Sequence, residues 1–406
     1  MVSIYDVFYV IGIKGEIRVS EIVEALHKPK NEYRSIFNHV TELEKQGCIK
    51  KDKSIKIIHS EKSTKLFNLI YFCISNNINY NIMFKKNMLD FIQKASRKEF
   101  FTINDIKIHP QTFNLYTNLL SRYGFLLIIS RKPLRCKLLR HHFLIDLMKF
   151  FNKKLEFYTP EQHSFINEIK KELGKYKRNL KIHYTVIQDL ESREETNFIY
   201  SSLSLEGNPL TLPETQKLIL KNIIPKEHKL EHIHEVTNYK KAIDYMTSNT
   251  KKKVKLSLSL ILEYHKIAMT HMDYAGKIRK QNVRINANSD FKTCDWKEIL
   301  NKLNKLMKKY DNFNSKAVKD IIDFASYFHN EFQRIHPFID GNSRISRLLM
   351  FHILRSYNIP IMDLPLGYFD LYLDLTKRST KRDDENFKYL IEEIILMNLK
   401  KINSFI

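Results

Sequence analysis

A mainly α-helical fold is predicted, with a helical core, a β-hairpin beside it and two smaller helix-plus-hairpin units ahead of it. Three observations predict this. Apolar residues recur at helical spacing in the C-terminal half, as at Val318, Ile321, Ile322, Ala325, Phe328, Phe332 and Ile335. Strand-like apolar stretches are short, near 49–58, 125–139 and 274–285, the last of them alternating. With 406 residues the chain can build two to three domains with real cores.

From the N-terminus, Ile17, Val19, Ile22, Val23 and Leu26 mark one helix, and Tyr33 to Gln46 a second, with Phe37, Val40 and Leu43 on its apolar side. Gly47 to Lys50 and Ile55 to Ile58 then read as two short strands around a charged turn. Helix, helix, hairpin is the winged-helix order, so residues 1–60 are expected to form such a unit. Residues 61–144 repeat it: Met88 to Ala95 helical, Phe101 to Ile106 short, Gln111 to Arg122 helical, then strands at Phe125 to Ser130 and Cys136 to Leu139. Arg131, Lys132 and Arg135 fall on the second hairpin tip, while Arg34, Asn38 and His39 are placed to reach a DNA groove from the first unit. Such units also dock proteins. Residues 145–189, with Glu161 to Tyr176 helical and charged, read as a connector, and 190–398 as the core.

Charge and composition limit the function classes. Net charge is +23, and residues 1–150 carry 25 basic against 13 acidic side chains, while residues 151–250 are nearly neutral. A basic N-terminal third suits an anionic partner such as DNA, although a lysine-rich chain raises this excess everywhere. No apolar run approaches the length that spans a bilayer, and the N-terminus lacks a signal-peptide pattern, so a cytoplasmic location is expected. Cys48, Cys73, Cys136 and Cys294 lack metal-type pair spacing and suit buried thiols. His228, His232 and His234 lie among Lys226, Glu227, Lys229 and Glu231, which reads as a solvated face.

The chemistry concentrates in His336-Pro337-Phe338-Ile339-Asp340-Gly341-Asn342-Ser343-Arg344-Ile345-Ser346-Arg347. A helix runs into His336 and stops before Pro337, and a second begins after the Gly-Asn-Ser turn. That turn sits at a helix N-terminus, where unpaired backbone N–H groups and the dipole favour an anion. Arg344 and Arg347, three apart, share a helix face and suit phosphate oxygens.

This stretch resembles the signature of the Fic family, His-Pro-Phe-x-(Asp/Glu)-Gly-Asn-(Gly/Lys)-Arg-x-x-Arg, and departs from it at Ser343. The resemblance implies a Fic domain that transfers AMP from ATP to a hydroxyl side chain of a target protein, with Mg²⁺ as cofactor. It casts His336 as general base, Asp340 as the Mg²⁺ ligand and Phe338 as a buried anchor. Gly341, Asn342 and Ser343 would form the anion hole, with Arg344 and Arg347 on the outer phosphates. If Ser343 has negative φ it fits; if it needs positive φ the loop is strained.

Upstream, Ser202, Glu206 and Gly207 fit a second pattern of the family, (Ser/Thr)-x-x-x-Glu-(Gly/Asn). There it implies an inhibitory helix whose carboxylate pairs with the second motif arginine, here Glu206 with Arg347, and excludes the γ-phosphate. Tyr274 to Ile285 reads as a strand or hairpin, and the resemblance implies a flap whose Val283, Arg284 and Ile285 align the target by strand addition. Tyr368 and Tyr372 sit where the family tends to place aromatic residues near the nucleotide. AMP removal at the same site, or a DNA-binding regulator whose core senses nucleotide, are the alternatives, and a homodimer is left open.

Overall fold

The computed structural model describes residues 2–158, 162–284, 293–360, 363–378 and 382–406. Helices dominate, in keeping with the predicted class: α1 Ile4–Lys14, α2 Val19–Ala25, α3 Tyr33–Lys45, β1 Ile49–Lys51, β2 Ile55–Ile57, α4 Glu61–Ser75, α5 Tyr80–Met83, α6 Lys86–Ala95, α7 Ile103–Ile106, α8 Pro110–Arg122, β3 Leu126–Arg131, β4 Leu134–Leu138, α9 His142–Phe150, α10 Ile166–Ile182, α11 Tyr184–Ser204, α12 Leu212–Lys221, α13 Leu230–Lys251, α14 Leu258–Ala268, α15 Ile299–Asn312, α16 Val318–Ile335, α17 Asn342–Ser356, α18 Phe369–Leu375 and α19 Asp384–Asn403. Among the described residues no helix is long and apolar enough to cross a membrane. The chain divides into two compact units, one of Met1–Tyr123 with Lys132–Tyr158, the other of Gly124–Arg131 with Thr159–Ile406.

In the first unit, α1 starts on a capping box: Ser3 Oγ accepts from the Asp6 amide at 3.1 Å and Asp6 Oδ2 accepts from the Ser3 amide at 2.7 Å. Sequence periodicity misses α1 because its run Val7 to Ile13 is apolar on nearly every side and shows no polar face. It also misses α4, which buries Leu66, Leu69, Ile70 and Cys73. Strands β1 and β2 pair antiparallel with Ile49 opposite Ile57, and Ile17 bridges to Ile55. Helix α3 buries Ile36, Val40 and Leu43. Phe37, predicted on that side, is instead 36% exposed with Lys51 Nζ 3.9 Å above its ring, because the buried stripe runs one residue earlier.

The second unit is built around α17. Every residue from Asn342 to Leu354 in that helix is buried, polar ones included. Helix α16 precedes it through a short loop, and the C-terminal end of α11 is enclosed as well, from Phe198 to Leu203. A core helix carrying Asn342, Ser343, Arg344, Ser346, Arg347 and His352 has to place each polar group on a partner, since an unpartnered buried polar group costs about 1–3 kcal/mol. Those partners delineate the site.

Candidate active site

The loop between α16 and α17 has a fixed shape. His336 caps α16 in the left-handed region, with φ of 51°, and Pro337 prevents a further helical turn. Gly341 turns the chain into α17 at φ of 78°, where an added Cβ would lie 2.9 Å from Met269 Sδ. Asn342 closes the loop on itself: its Oδ1 accepts from the Phe338 amide and its Nδ2 donates to the Phe338 carbonyl, both at 2.9 Å. Phe338 is fully buried, as expected of an anchor.

Two residues that motif reading passes over brace this loop. The His265 ring stacks on Phe338 with centroids 3.6 Å apart and planes 8° from parallel. Its Nδ1 accepts from the Gly276 amide at 2.8 Å, so Nε2 carries the proton and donates to the Asp340 carbonyl at 3.1 Å. Burial pushes this imidazole down to about 4, and it stays neutral. Arg279 is 2% exposed and donates Nε to the His336 carbonyl, Nη1 to the Gln281 carbonyl and Nη2 to the Cys294 carbonyl, each at 2.7 Å. Its amide also donates to the Pro337 carbonyl at 2.9 Å.

His336 is 9% exposed. Its Nδ1 lies 3.2 Å from the Gln333 carbonyl, an atom that can only accept, so Nδ1 holds the ring proton and Nε2 is left with its lone pair. Burial lowers the imidazole to about 4, which keeps it in the form able to take a proton at neutral pH.

Ser343, the departure from the family pattern, lies in the first turn of α17 and is absent from the positive-φ residues, so the strained alternative does not apply. Its Oγ accepts from Gln333 Nε2 at 2.9 Å, and Gln333 Oε1 accepts from Ser346 Oγ at 3.2 Å. Arg344 donates Nη2 to Asp340 at 2.9 Å and Nη1 to Glu235 at 3.3 Å; its buried Nε has no partner among the described residues. The Asp340 side chain is 56% exposed.

Arg347 is enclosed at the far side. Its Nε donates to Ser202 Oγ at 2.8 Å, and its Nη2 to the Ser202 carbonyl at 3.0 Å and to Glu206 Oε1 at 2.9 Å. Lys377 forms a second ion pair with Glu206. Burial alone would raise the Glu206 carboxyl, and the two cations reverse this and hold it near 2. Helix α11 ends at Ser204, so Glu206 sits in the turn beyond it, before Gly207 at φ of 90°. Tyr372 OH is 3.4 Å from Arg347 Nη1 and 2.9 Å from His329 Nε2, whereas Tyr368 OH donates to Glu393 at 3.0 Å.

Contacts thus tie Asp340 to Arg344, and Arg347 to Ser202 and Glu206; His336, Gly341, Asn342 and Ser343 lie on the loop and first turn leading to these arginines, and Gly207 follows Glu206. The expected flap differs: Val283 and Arg284 are not in a strand, and Ile285 lies outside the described residues. Thr293 Oγ1 donates to the Val283 carbonyl at 3.3 Å. In the first unit Arg34 and Asn38 are exposed, but His39 Nε2 lies 3.1 Å from the Val2 carbonyl, so its ring is tied to its own unit. His265, Arg279, Gln333 and Lys377 lie outside the motif patterns themselves, so reading those patterns does not find them, and only their contacts with motif residues reveal them.

Comparison with known proteins agrees with this geometry. Residues 255–354 match the Fic/DOC family. The chain is 26% identical over 200 residues to "Protein adenylyltransferase Fic" of Drosophila erecta, covering 48% of this chain and 39% of that one. The protein of the same name from Drosophila grimshawi is also 26% identical over 200 residues, with 48% and 40% covered. The chain therefore spans about two fifths of the length of these curated relatives. Among solved structures, a Fic domain containing signaling protein from Bacteroides thetaiotaomicron superposes with a TM-score of 0.53 at 20% identity, covering 58% of this chain and 96% of that one, which supports the fold. The segment 255–354, which holds the His336 to Arg347 loop and helix, is the part of this chain that matches the Fic/DOC family.

Proposed function

We propose that this chain moves AMP from ATP to a hydroxyl side chain of a protein, and that Glu206 restrains the transfer. The observation that carries the reading is the Nδ1 contact of His336 with the Gln333 carbonyl, which leaves Nε2 as a base beside the N-terminus of α17. A target hydroxyl gives its proton to His336 Nε2 as its oxygen attacks the α-phosphorus, and the bond to the bridging oxygen of pyrophosphate breaks. The amides of Asn342 and Ser343, at the start of α17, face the developing charge, and Arg344 and Arg347 take outer phosphate oxygens.

Asp340 suits Mg²⁺ in the way such sites use one hard carboxylate together with substrate phosphates, and its side chain is more than half exposed on the loop. When bound, the ion would neutralise phosphate charge. The chain's own part is to orient Asp340, through Arg344 at its carboxylate and His265 at its carbonyl.

Restraint follows from occupancy. Glu206 holds the Arg347 guanidinium that the outermost phosphate would need, so the two compete for one cation. The test uses wild type, Glu206→Gly, and Glu206→Gly with His336→Ala, each incubated with Mg²⁺ and ATP labelled at the α-phosphate. Strong protein labelling confined to the single variant is the expected result. Absence of label in all three, with ATP bound, would overturn AMP transfer.

A further inference from the structure

Glu206 answers to two cations. Its Oε1 accepts from Arg347 and its Oε2 is paired with Lys377. The Arg347 side chain is 2% exposed and that of Lys377 17% exposed, so one carboxylate is shared by two cations at a place largely out of water. The hydroxyls that also contact Arg347, from Ser202 and Tyr372, are neutral. An anion that takes the place of Glu206 meets both cations at that position, and their attraction strengthens as water is excluded. An oxyanion with two negative charges and several acceptor oxygens would neutralise both.

We propose that Lys377 is a second ligand of the terminal phosphate, presented together with Arg347 when Glu206 leaves. This rests on the reading of the site as one that takes ATP. Lysine suits the role because its ammonium is a point charge on a flexible stem, able to turn from a carboxylate onto a phosphate oxygen without a fixed fork geometry. Opening the latch and binding the triphosphate then become one exchange of anions. The pair of cations favours a triphosphate over nucleotides that end at the α-phosphate.

The test compares Glu206→Gly with the double variants Glu206→Gly/Lys377→Met and Glu206→Gly/Lys377→Arg, measuring Kd for ATP and for AMP by calorimetry in the presence of Mg²⁺. Removing one charge-assisted phosphate contact is expected to weaken ATP by roughly tenfold or more. AMP, which lacks the outer phosphates, should change by less than about twofold, and Lys377→Arg should recover most of the ATP affinity. Unchanged ATP affinity in the Met variant, or an equal loss for AMP, overturns the proposal. A Glu206→Gly parent that binds neither nucleotide defeats the ATP reading and this proposal with it. A parent that binds ATP yet labels no protein defeats only the transfer reading, and the affinities still decide the role of Lys377.

Discussion

Arg347 Nη2 and Glu206 Oε1 lie 2.9 Å apart although 141 positions separate the two residues in the chain. The contact joins the turn after α11 to the middle of the most deeply buried helix of the second unit. Because Arg347 is enclosed, the pair is shielded from the solvent screening that makes surface ion pairs weak. Breaking it leaves a buried guanidinium that needs another anion.

Ser202 also holds Arg347 through its hydroxyl, which accepts from Arg347 Nε at 2.8 Å, and in the restraint proposed for Glu206 it would be part of the same latch. Ser202→Ala removes that acceptor and leaves the Glu206 pair in place. Losing about 1 kcal/mol of latch energy should raise basal labelling by roughly fivefold, short of the rise in Glu206→Gly. The rate of label incorporation from α-labelled ATP checks this, and a rate equal to wild type would remove Ser202 from the latch.

The pH dependence of activity follows from His336. Its pKa is lowered from 6.5 to about 4, so it stays a competent base through pH 5. The kcat profile of Glu206→Gly should therefore show no inflection near 6.5. Glu206, held near 2, stays ionised over the same range, and acidification to pH 5 should not release the latch in wild type.

Stability should fall with acidification in a defined window. His265, His336 and His352 are each lowered to about 4 and His329 to about 3, so the unfolded chain binds more protons than the native one between about 6.5 and 4. Lowered pKa values contribute stability that is present above the unfolded value and lost as pH falls through the folded one. Each such proton adds a slope of about 1.4 kcal/mol per pH unit. Urea midpoints measured from pH 7 to pH 4.5 should drop, and the drop should shrink in His265→Gln.

Arg279 spans His336, Gln281 and Cys294 with donors that no shorter side chain reaches. Arg279→Ala strands the buried His336 carbonyl and two partly exposed ones, and should cost about 1–3 kcal/mol in denaturant unfolding. In the Glu206→Gly background it should also lower kcat, because the His336 carbonyl loses its tether. A loss of stability with kcat intact would make Arg279 a structural residue alone.

Gly341→Ala combines left-handed strain with a Cβ 2.9 Å from Met269 Sδ, and should destabilise by about 2 kcal/mol. A thermal shift of a few degrees is the readout.

Much of the site was legible in the chain. Pro337 and Gly341 dictate where α16 stops and α17 starts through local backbone sterics alone, so the loop and its turn could be read directly. The strands near 49–57 and 126–138 were likewise visible as short apolar runs beside charged turns, as was α3 from its period. Helix α1 was not, because periodicity reports a polar face only when there is one, and the exposed Phe37 shows that it fixes a stripe only to within a residue.

The sequence by itself determined the chemistry at hand: a histidine, a carboxylate, a turn and two arginines in consecutive positions, with a serine and a glutamate far upstream that match a second pattern. Only the tertiary structure decided their states. The ring proton of His336 is placed by the Gln333 carbonyl, the Asp340 loop is held by His265 and Arg279, and Glu206 is shared between Arg347 and Lys377. The physical reason is that short-range sterics act between neighbours in the chain, whereas protonation, charge balance and burial depend on whichever groups the packed helices bring within a few ångströms.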